Sequence, residues 1–199
     1  EEIYNNMDDK NNIATIFEYN KKNTAKKIIQ IRENTNQIAF DKIAIIGAGN
    51  FTRSTLLPSL AKNNSEIKYI VSNSGLSSTS LAKKFNIQHS ATDYNMILED
   101  DEVGLVIITT RHNTHAQIVN DFLKSGKNIF VEKPLALNED DLDKIVDNYN
   151  NSSCSLNVGF NRRFSPFAAK MKSLIDSFGG PINIVATFNA GHIDKNSWI

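Results

Sequence analysis

Two charged residues and a proline follow a predicted strand, where they could carry acid–base chemistry. The strand predicted at residues 128–131 runs into Glu132-Lys133-Pro134. Proline has a fixed φ and restricts the residue before it to an extended conformation, so the backbone of Lys133 holds its side chain in a defined direction. A lysine over a nicotinamide ring, with a carboxylate beside it, can exchange a proton with a substrate hydroxyl while hydride leaves the same carbon. The alternative is that Glu132 and Lys133 are ordinary surface charges before a turn.

A second group of polar residues follows another predicted strand, at residues 103–109. The sequence there is Thr109-Thr-Arg-His-Asn-Thr-His115. Thr109 and Thr110 could contact the ribose or nicotinamide of a cofactor. His112 and His115 could carry protons, although capping of the following helix is the more common role. Because two histidines alone are too few for a protein metal site, we predict none.

A glycine-containing turn has the setting of a dinucleotide-binding fingerprint, since Gly47-Ala-Gly-Asn-Phe-Thr52 follows an apolar run and precedes a predicted helix. Gly47 permits the tight turn and Gly49 lets the backbone approach a pyrophosphate, which the free N–H groups of the helix start would bind. Thr52 stands where the strict pattern has Gly or Ala, and we expect it to loosen the packing of helix on strand. A site for S-adenosylmethionine or a nucleotide sugar is the alternative.

The end of the second predicted strand bears on the choice of cofactor. An NAD site has Asp or Glu there to bind the ribose 2′-OH, whereas this chain has Ser72-Asn73-Ser74. No carboxylate would repel a 2′-phosphate, and the hydroxyl and amide groups could bind one, but the arginine that suits NADP is also missing. The sequence therefore predicts NAD or NADP and favours NADP. The missing carboxylate also argues against a methyltransferase.

Alternating strands and helices from residue 42 onward would position these groups. Strands are predicted at residues 43–46, 67–71, 103–109, 128–131 and 155–158, with helices between them. We expect Pro58 to kink the first helix or end it early, and Asn138 to cap the last one. The β-α-β alternation predicts an α/β fold with a doubly wound parallel sheet, the Rossmann fold. Ligands of such sheets bind at the carboxyl ends of the strands.

Three parts are predicted along the chain. Residues 1–41 are an N-terminal segment with a possible hairpin (residues 14–19 and 27–31) that would end an upstream domain. Residues 42–160 form the NAD(P)-binding Rossmann domain. Residues 161–199 begin an incomplete α+β domain for substrate binding and dimerisation, with a helix at 166–178 and a strand at 182–189. We expect a piece of a longer polypeptide.

Composition narrows the class of protein and of partner. The 22 basic and 22 acidic residues give a net charge of zero, unlike the basic excess of nucleic-acid binders. The single cysteine excludes an internal disulfide, which fits a reducing compartment. No apolar run approaches the roughly 20 residues of a membrane span. We therefore predict a cytoplasmic protein with neither nucleic acid nor membrane as partner.

Four motifs, in order, resemble the family of glucose–fructose oxidoreductase, inositol dehydrogenase and rhizopine-catabolism proteins (Gfo/Idh/MocA). They are residues 47–51, 110–115, 132–134 and 158–164. The resemblance implies an NAD(P)-dependent oxidoreductase that acts on a CH–OH group of a sugar, sugar nucleotide or cyclitol, with Lys133 as the catalytic acid/base. It also implies that Arg163 lies near the substrate. From the residues and the resemblance together, the predicted cofactor contacts are Gly47, Gly49, Asn50, Phe51, Thr52, Ser72, Asn73, Thr109, Thr110, His115, Glu132, Lys133 and Pro134.

The chain departs from the family pattern in two places. Arg111 stands where many members have proline, and the Asp and His that members carry on a second-domain helix would lie beyond Ile199. We therefore expect the chain alone to be inactive, and the full protein to be a homo-oligomer formed through its C-terminal sheet. The N-terminal 40 residues resemble a branch fused behind a zinc-type alcohol-dehydrogenase-like domain. The alternative function is a non-catalytic dinucleotide-binding sensor or scaffold module in a fusion protein.

Overall fold

The computed structural model describes residues 28–30, 42–187, 189 and 191–192. The strands of this part are β1 (Ile28–Gln30), β2 (Lys42–Ile46), β3 (Ile67–Val71), β4 (His89–Ala91), β5 (Val103–Ile108), β6 (Asn128–Glu132) and β7 (Leu156–Gly159). Its α-helices are α1 (Leu57–Lys62), α2 (Leu76–Phe85), α3 (Asn95–Leu98), α4 (His112–Lys124), α5 (Glu139–Asn150) and α6 (Pro166–Phe178). A π-helical segment, Thr52–Leu56, precedes α1, and a 3₁₀ turn, Asn161–Phe164, precedes α6.

The described strands form one sheet in the order β1-β4-β3-β2-β5-β6-β7. Strands β2 to β7 are parallel, and β1 pairs antiparallel with β4 at the edge. The order of β4-β3-β2-β5-β6-β7 is that of the doubly wound dinucleotide-binding fold, so the predicted α/β class is confirmed. The connections change direction between β2 and β5, which makes the carboxyl ends of these two strands the expected ligand crevice.

Apolar side chains on both faces of β2 and β5 form the core. Successive side chains of a strand point to opposite faces. Ala44 and Ile46 accordingly pack into one buried cluster with residues of α4, while Ile43 and Ile45 pack into the other with residues of α1 and α2. Burial on both faces explains why these strands read as continuous apolar runs in the sequence.

The helix after the glycine-containing turn does not end early at Pro58. The backbone is π-helical over Thr52–Leu56, and the N–H of Leu57 donates to the carbonyl of Thr52. Pro58 follows this π-helical segment, inside a helical run that extends from residue 50 to residue 62. The helix continues to Lys62, so of the two expected outcomes the early end is wrong, whereas the kink stays a prediction.

The strand predicted at residues 182–189 is not formed in its described part, residues 182–187 and 189. Ile182, Ile184 and Val185 are exposed, and none of the described strands pairs with this segment. Because a strand needs a partner for its hydrogen bonds, β-type residues alone do not form one. The helix predicted before it is confirmed at Pro166–Phe178.

The N-terminal segment contributes β1 to the sheet edge, where Ile28 lies opposite Ala91. The other half of the predicted hairpin, residues 14–19, lies outside the described residues. The domain boundary at residue 41 stays a prediction. None of the helices in the described ranges has both the length and the apolar character needed to cross a bilayer.

A network of charged side chains occupies the edge formed by the amino ends of the strands. The Lys68 ammonium lies 2.6 Å from Asp100 Oδ2, and both side chains are largely buried, with 10% and 14% exposed. The Tyr69 hydroxyl donates to the same carboxylate at 2.8 Å, and Lys68 also pairs with Glu102. Burial would raise the pKa of Asp100, but hydrogen bonds from Lys68 and Tyr69 outweigh it and hold that pKa below its usual value.

Replacing Asp100 by Asn should lower the free energy of unfolding at pH 7 by about 2 kcal/mol, because Lys68 loses its largely buried partner and keeps only the exposed Glu102. The folded-state pKa of Asp100 is depressed, so its contribution is complete above its unfolded pKa of about 4 and is lost as the pH falls through the folded pKa. Urea unfolding of the wild type and of Asp100→Asn at pH 7 and pH 3 measures the destabilisation by the substitution and the loss of the Asp100 contribution at low pH.

The exposed neighbour Asp101, changed to Asn, is the matched control and should leave stability within about 0.5 kcal/mol of wild type. Equal stability of the Asp100→Asn protein and the wild type at pH 7 would contradict the assigned role of the network.

Candidate functional site

Three turns meet at the carboxyl edge of the sheet. The glycine turn (residues 47–51) follows β2, the threonine turn (residues 109–111) follows β5, and the lysine turn (residues 133–136) follows β6. Ile46 lies opposite Ile108, and Ile108 opposite Val131, so the three neighbouring strands end level with one another. At roughly 4.8 Å between neighbouring strands, the ends of β2 and β6 are about 10 Å apart, with the threonine turn between them.

The two glycines of the glycine turn are required for different reasons. Gly47 has φ +118°, and a Cβ there would lie 2.6 to 2.7 Å from atoms of Thr109, so neither the backbone conformation nor the space admits a side chain. Gly49 is exposed, and a Cβ there would meet no described atom within 4 Å. Nothing in the described fold explains a glycine at position 49. The open space in front of it fits a cofactor diphosphate, which a side chain would block.

Thr52 is fully buried and ties the helix to two turns. Its hydroxyl donates to the carbonyl of Gly47 at 3.0 Å and lies 2.8 Å from the hydroxyl of Thr109. The expectation that Thr52 loosens the packing is therefore wrong, because its hydroxyl makes hydrogen bonds that glycine could not make. The side chain is enclosed, so the predicted cofactor contact of Thr52 would have to come from its backbone.

The threonine turn is held from both sides. The N–H of Thr109 donates to the carbonyl of Ile46 at 2.8 Å, which joins it to the end of β2. The hydroxyl of Thr110 accepts a hydrogen bond from that of Thr114 at 2.7 Å. His115 is fully buried, and its two ring nitrogens lie near the carbonyl oxygens of Pro134 and Thr110. The structure thus encloses His115 between the turns rather than in the open space of the site.

The lysine turn presents an exposed ammonium beside an acceptor that lacks a partner. Lys133 is exposed, and its peptide bond to Pro134 is cis. Among the described residues, no hydrogen-bond donor reaches the buried Oε1 of Glu132. Burial raises the pKa of Glu132, and the backbone hydrogen bond from Lys133 and the charge of Lys133 oppose that shift. A buried carboxyl oxygen without a donor fits a site that a polar ligand completes.

Gly159 makes room for the carboxyl group of Glu132. It lies opposite Glu132 on β7, and a Cβ there would be 2.9 Å from Glu132 Oε1. Sequence reasoning did not single out Gly159 as a site residue. Its place at the end of a predicted strand was the available signal, but the pairing with Glu132 needs the register of the sheet.

Other predicted site residues lie farther along the edge. The hydroxyl of Ser72 donates to Ser78 Oγ at 2.9 Å and accepts from the Ser78 N–H at 3.2 Å, whereas Asn73 is exposed. In the glycine turn, Asn50 is exposed and Phe51 half-buried. Arg163 lies in the turn after β7 with its guanidinium 5.4 Å from the ring centre of Phe164. In the part of the chain that is described, no three potential ligand side chains gather as a metal site.

Comparison with known proteins agrees with this geometry. The sequence model of an oxidoreductase family with an NAD-binding Rossmann fold matches residues 42–160, which contain all three turns. The chain belongs to the Gfo/Idh/MocA oxidoreductase family. The resemblance of its four motifs is therefore confirmed at the level of the family.

Relatives within the Gfo/Idh/MocA family include inositol dehydrogenases. The chain is 31% identical over 97 residues to a myo-inositol 2-dehydrogenase of Thermotoga maritima, a match that covers 49% of this chain and 29% of that protein. It is 35% identical over 104 residues to an NAD(+)-dependent scyllo-inositol 2-dehydrogenase of Bacillus subtilis, covering 51% and 30%. The chain thus matches about a third or less of the length of these relatives.

A solved structure shows the same fold. It is a 3-ketoreductase from Actinomadura kijaniata, in complex with NADP and TDP-benzene, with a TM-score of 0.62 and 20% sequence identity. The match covers 68% of this chain and 42% of that one. At this level of identity the likeness establishes the shared architecture.

Substitution of the two glycines should separate folding from cofactor binding. Gly49→Val should leave the free energy of unfolding within about 0.5 kcal/mol of wild type, because its side chain enters open space. It should weaken NAD(P)H binding at least tenfold, about 1.4 kcal/mol, by blocking the diphosphate. Gly47→Ala should instead destabilise the fold by about 2 to 4 kcal/mol, because its Cβ meets Thr109.

Urea unfolding and NAD(P)H fluorescence titration measure the two properties in the same preparations. Unchanged NAD(P)H affinity of the Gly49→Val protein would refute the placement of the diphosphate at the glycine turn.

Proposed function

We propose that this protein is an NAD(P)-dependent oxidoreductase that acts on a CH–OH group of a sugar, sugar nucleotide or cyclitol, with Lys133 as the acid/base. The observation that carries the proposal is the level ending of β2, β5 and β6. It places the glycine turn, the threonine turn and Lys133 side by side, within about 10 Å. Such a span suits the diphosphate and nicotinamide halves of one dinucleotide.

The strand order supports one direction for a bound dinucleotide. The glycine turn would hold the diphosphate, the β3 side with Asn73 would receive the adenosine, and the β5 and β6 side would receive the nicotinamide. Glu132 Oε1 offers an acceptor on that side. When bound there, the nicotinamide supplies or accepts the hydride.

Lys133 then handles the proton of the reaction. In the reducing direction its ammonium donates a proton to the carbonyl oxygen while the carbonyl carbon receives the hydride, and the product is the alcohol. In the oxidising direction the neutral amine accepts the hydroxyl proton as hydride leaves the carbinol carbon. An acid or base placed within hydrogen-bond reach contributes about 10² to 10⁴ to the rate of such a step.

The names of the relatives support the substrate class. Two relatives above 30% identity are inositol dehydrogenases, which oxidise a ring CH–OH group. The structural neighbour with 20% identity is a ketoreductase, the reverse chemistry at the same functional group. Cyclitols and nucleotide sugars are therefore the first compounds to test.

Replacing Lys133 by Ala in the native polypeptide should lower kcat about 10²-fold to 10⁴-fold, because the acid/base is lost. The Kd for NAD(P)H should change less than about threefold, since the side chain faces the reacting oxygen rather than the diphosphate. Turnover is measured with NAD(P)⁺ on a panel of cyclitols and sugar nucleotides, and binding by fluorescence.

Lys144→Ala is the matched control, because Lys144 is an exposed lysine on α5 and is not part of the three turns. It should behave as wild type. Retained turnover in Lys133→Ala would remove Lys133 from the mechanism. Cofactor binding by the wild type without turnover of any compound in the panel would favour the alternative function of a non-catalytic sensor or scaffold.

We favour NADP over NAD from the surroundings of the β3 end. The first turn of α2 has no acidic residue, and its N-cap is Gly75 with no side chain to occupy the free N–H groups. Asn73 and Ser74 are exposed beside it. A 2′-phosphate would meet amide and hydroxyl donors and the positive end of a helix, with no carboxylate to repel it. The name of one relative includes NAD and that of another includes NADP, so the names do not decide between the two cofactors.

The wild type should therefore bind NADPH more tightly than NADH, and Asn73→Asp should reverse the order. The new carboxylate would repel the 2′-phosphate and accept a hydrogen bond from the 2′-OH, a combined change of at least about tenfold in the ratio of the two Kd values. Fluorescence titration of both proteins with both cofactors measures it. Tighter NADH binding by the wild type would overturn the preference.

A further inference from the structure

One buried side chain connects the threonine turn to the lysine turn. His115 lies in the first turn of α4 and is fully buried. Its Nδ1 lies 2.7 Å from the carbonyl oxygen of Pro134, and its Nε2 lies 3.2 Å from the carbonyl oxygen of Thr110. The imidazole ring thus bridges the backbone segments that follow β5 and β6.

The contact with Pro134 is the stronger of the two. A neutral imidazole has one N–H, and a carbonyl oxygen only accepts, so a neutral ring donates to one of the two carbonyls. The distance from Nδ1 to the Pro134 carbonyl oxygen, 2.7 Å, is the shorter of the two, so we place the N–H on Nδ1. The contact is partly buried, so a Pro134 carbonyl that lost its donor would be only partly hydrated, which makes the contact costly to remove.

The lysine turn lies between regular elements, and its anchors are the packing of Leu135 and Ala136 against the core and the hydrogen bond from His115 to the Pro134 carbonyl. Strand β6 ends at Glu132, and α5 begins at Glu139. Lys133 is exposed, so its side chain does not anchor the turn. The hydrogen bond from His115 fixes the carbonyl of the residue directly after Lys133 to the start of α4.

We propose that His115 is a positioning residue that holds Lys133 at the open edge of the sheet. The proposal rests on the role proposed above for Lys133. Proton transfer needs donor and acceptor within about 2.6 to 3.2 Å, and a displacement of about 1 Å can lower the rate 10²-fold. His115 acts through the two turns, because its fully buried ring is enclosed between them, and the cofactor contact that the family resemblance implied for it stays a prediction.

Three substitutions separate the two contacts of the ring. In His115→Asn the side-chain amide stands near the place of Nδ1, in His115→Gln it stands near that of Nε2, and His115→Leu has no donor. Hydrogen exchange followed by mass spectrometry reports on peptides that contain the threonine turn and the lysine turn. We expect His115→Leu to speed exchange in both turns about fivefold or more, and His115→Asn to restore most of the protection of the lysine turn. His115→Gln should leave the lysine turn unprotected.

Val119→Ala is the matched control. Val119 is fully buried one turn farther along α4, and its truncation leaves a cavity without removing a hydrogen bond from either turn. It should lower the stability of the protein and leave exchange in the two turns near the wild-type rate. Equal loosening of the turns by Val119→Ala and His115→Leu would overturn the proposal, and so would unchanged exchange of the lysine turn in His115→Leu.

Kinetics of the native polypeptide test the consequence for Lys133. His115→Leu should lower kcat about tenfold or more, with the KM for the cofactor changed less than threefold, and His115→Asn should recover most of kcat. An unchanged kcat would refute the positioning role. If the wild type bound NAD(P)H but turned over no CH–OH compound, the proposed function would fail, whereas the exchange data would still decide whether His115 holds the turn.

Discussion

The close approach of Gly47 to Thr109 is the constraint on which the rest of the site depends. Atoms of Thr109 lie only 2.6 to 2.7 Å from the place where a Cβ of Gly47 would stand, so the chain leaves β2 directly against the end of β5. The hydroxyl of Thr52 then reaches both residues and fixes the start of the helix on them. A larger residue at position 47 would separate the two turns and move the helix start away from the place where a diphosphate binds.

The two edges of the sheet differ in how their polar side chains are paired. At the amino edge, Lys68, Tyr69 and Asp100 satisfy one another, and the edge stabilises the fold. At the carboxyl edge, Gly49 faces open space and Glu132 Oε1 lacks a donor within the described residues. A buried acceptor without a donor is a disadvantage for stability, and the position of Glu132 Oε1 at the edge where Rossmann folds bind their ligands gives it a functional meaning.

Local sequence signals predicted the elements well where packing and propensity agree. The continuous apolar run at residues 43–46 marked β2, because both faces of that strand are buried. The capping of α5 by Asn138 was also readable, and the structure has its side chain accepting from the Asp141 N–H at 2.8 Å. The local signals failed where neighbouring structure decides whether an element forms or continues. Residues 182–187 have β-type side chains without a neighbouring strand, and Pro58 is accommodated by the π-helical turn before it.

The sequence by itself determined the α/β alternation, the family, and the identity of the groups at the strand ends, because each depends on residue types at short spacing. Only the tertiary structure decided which residues those groups contact. The register of the sheet sets Gly159 against Glu132, and the packing of α4 turns the ring of His115 toward two backbone carbonyls. For the same reason the role of Thr52 was not readable from the sequence: it departs from the strict motif, but in the structure its hydroxyl bridges two turns. Its hydrogen-bond partner Thr109 is 57 residues away in the chain, and no local pattern records such a contact.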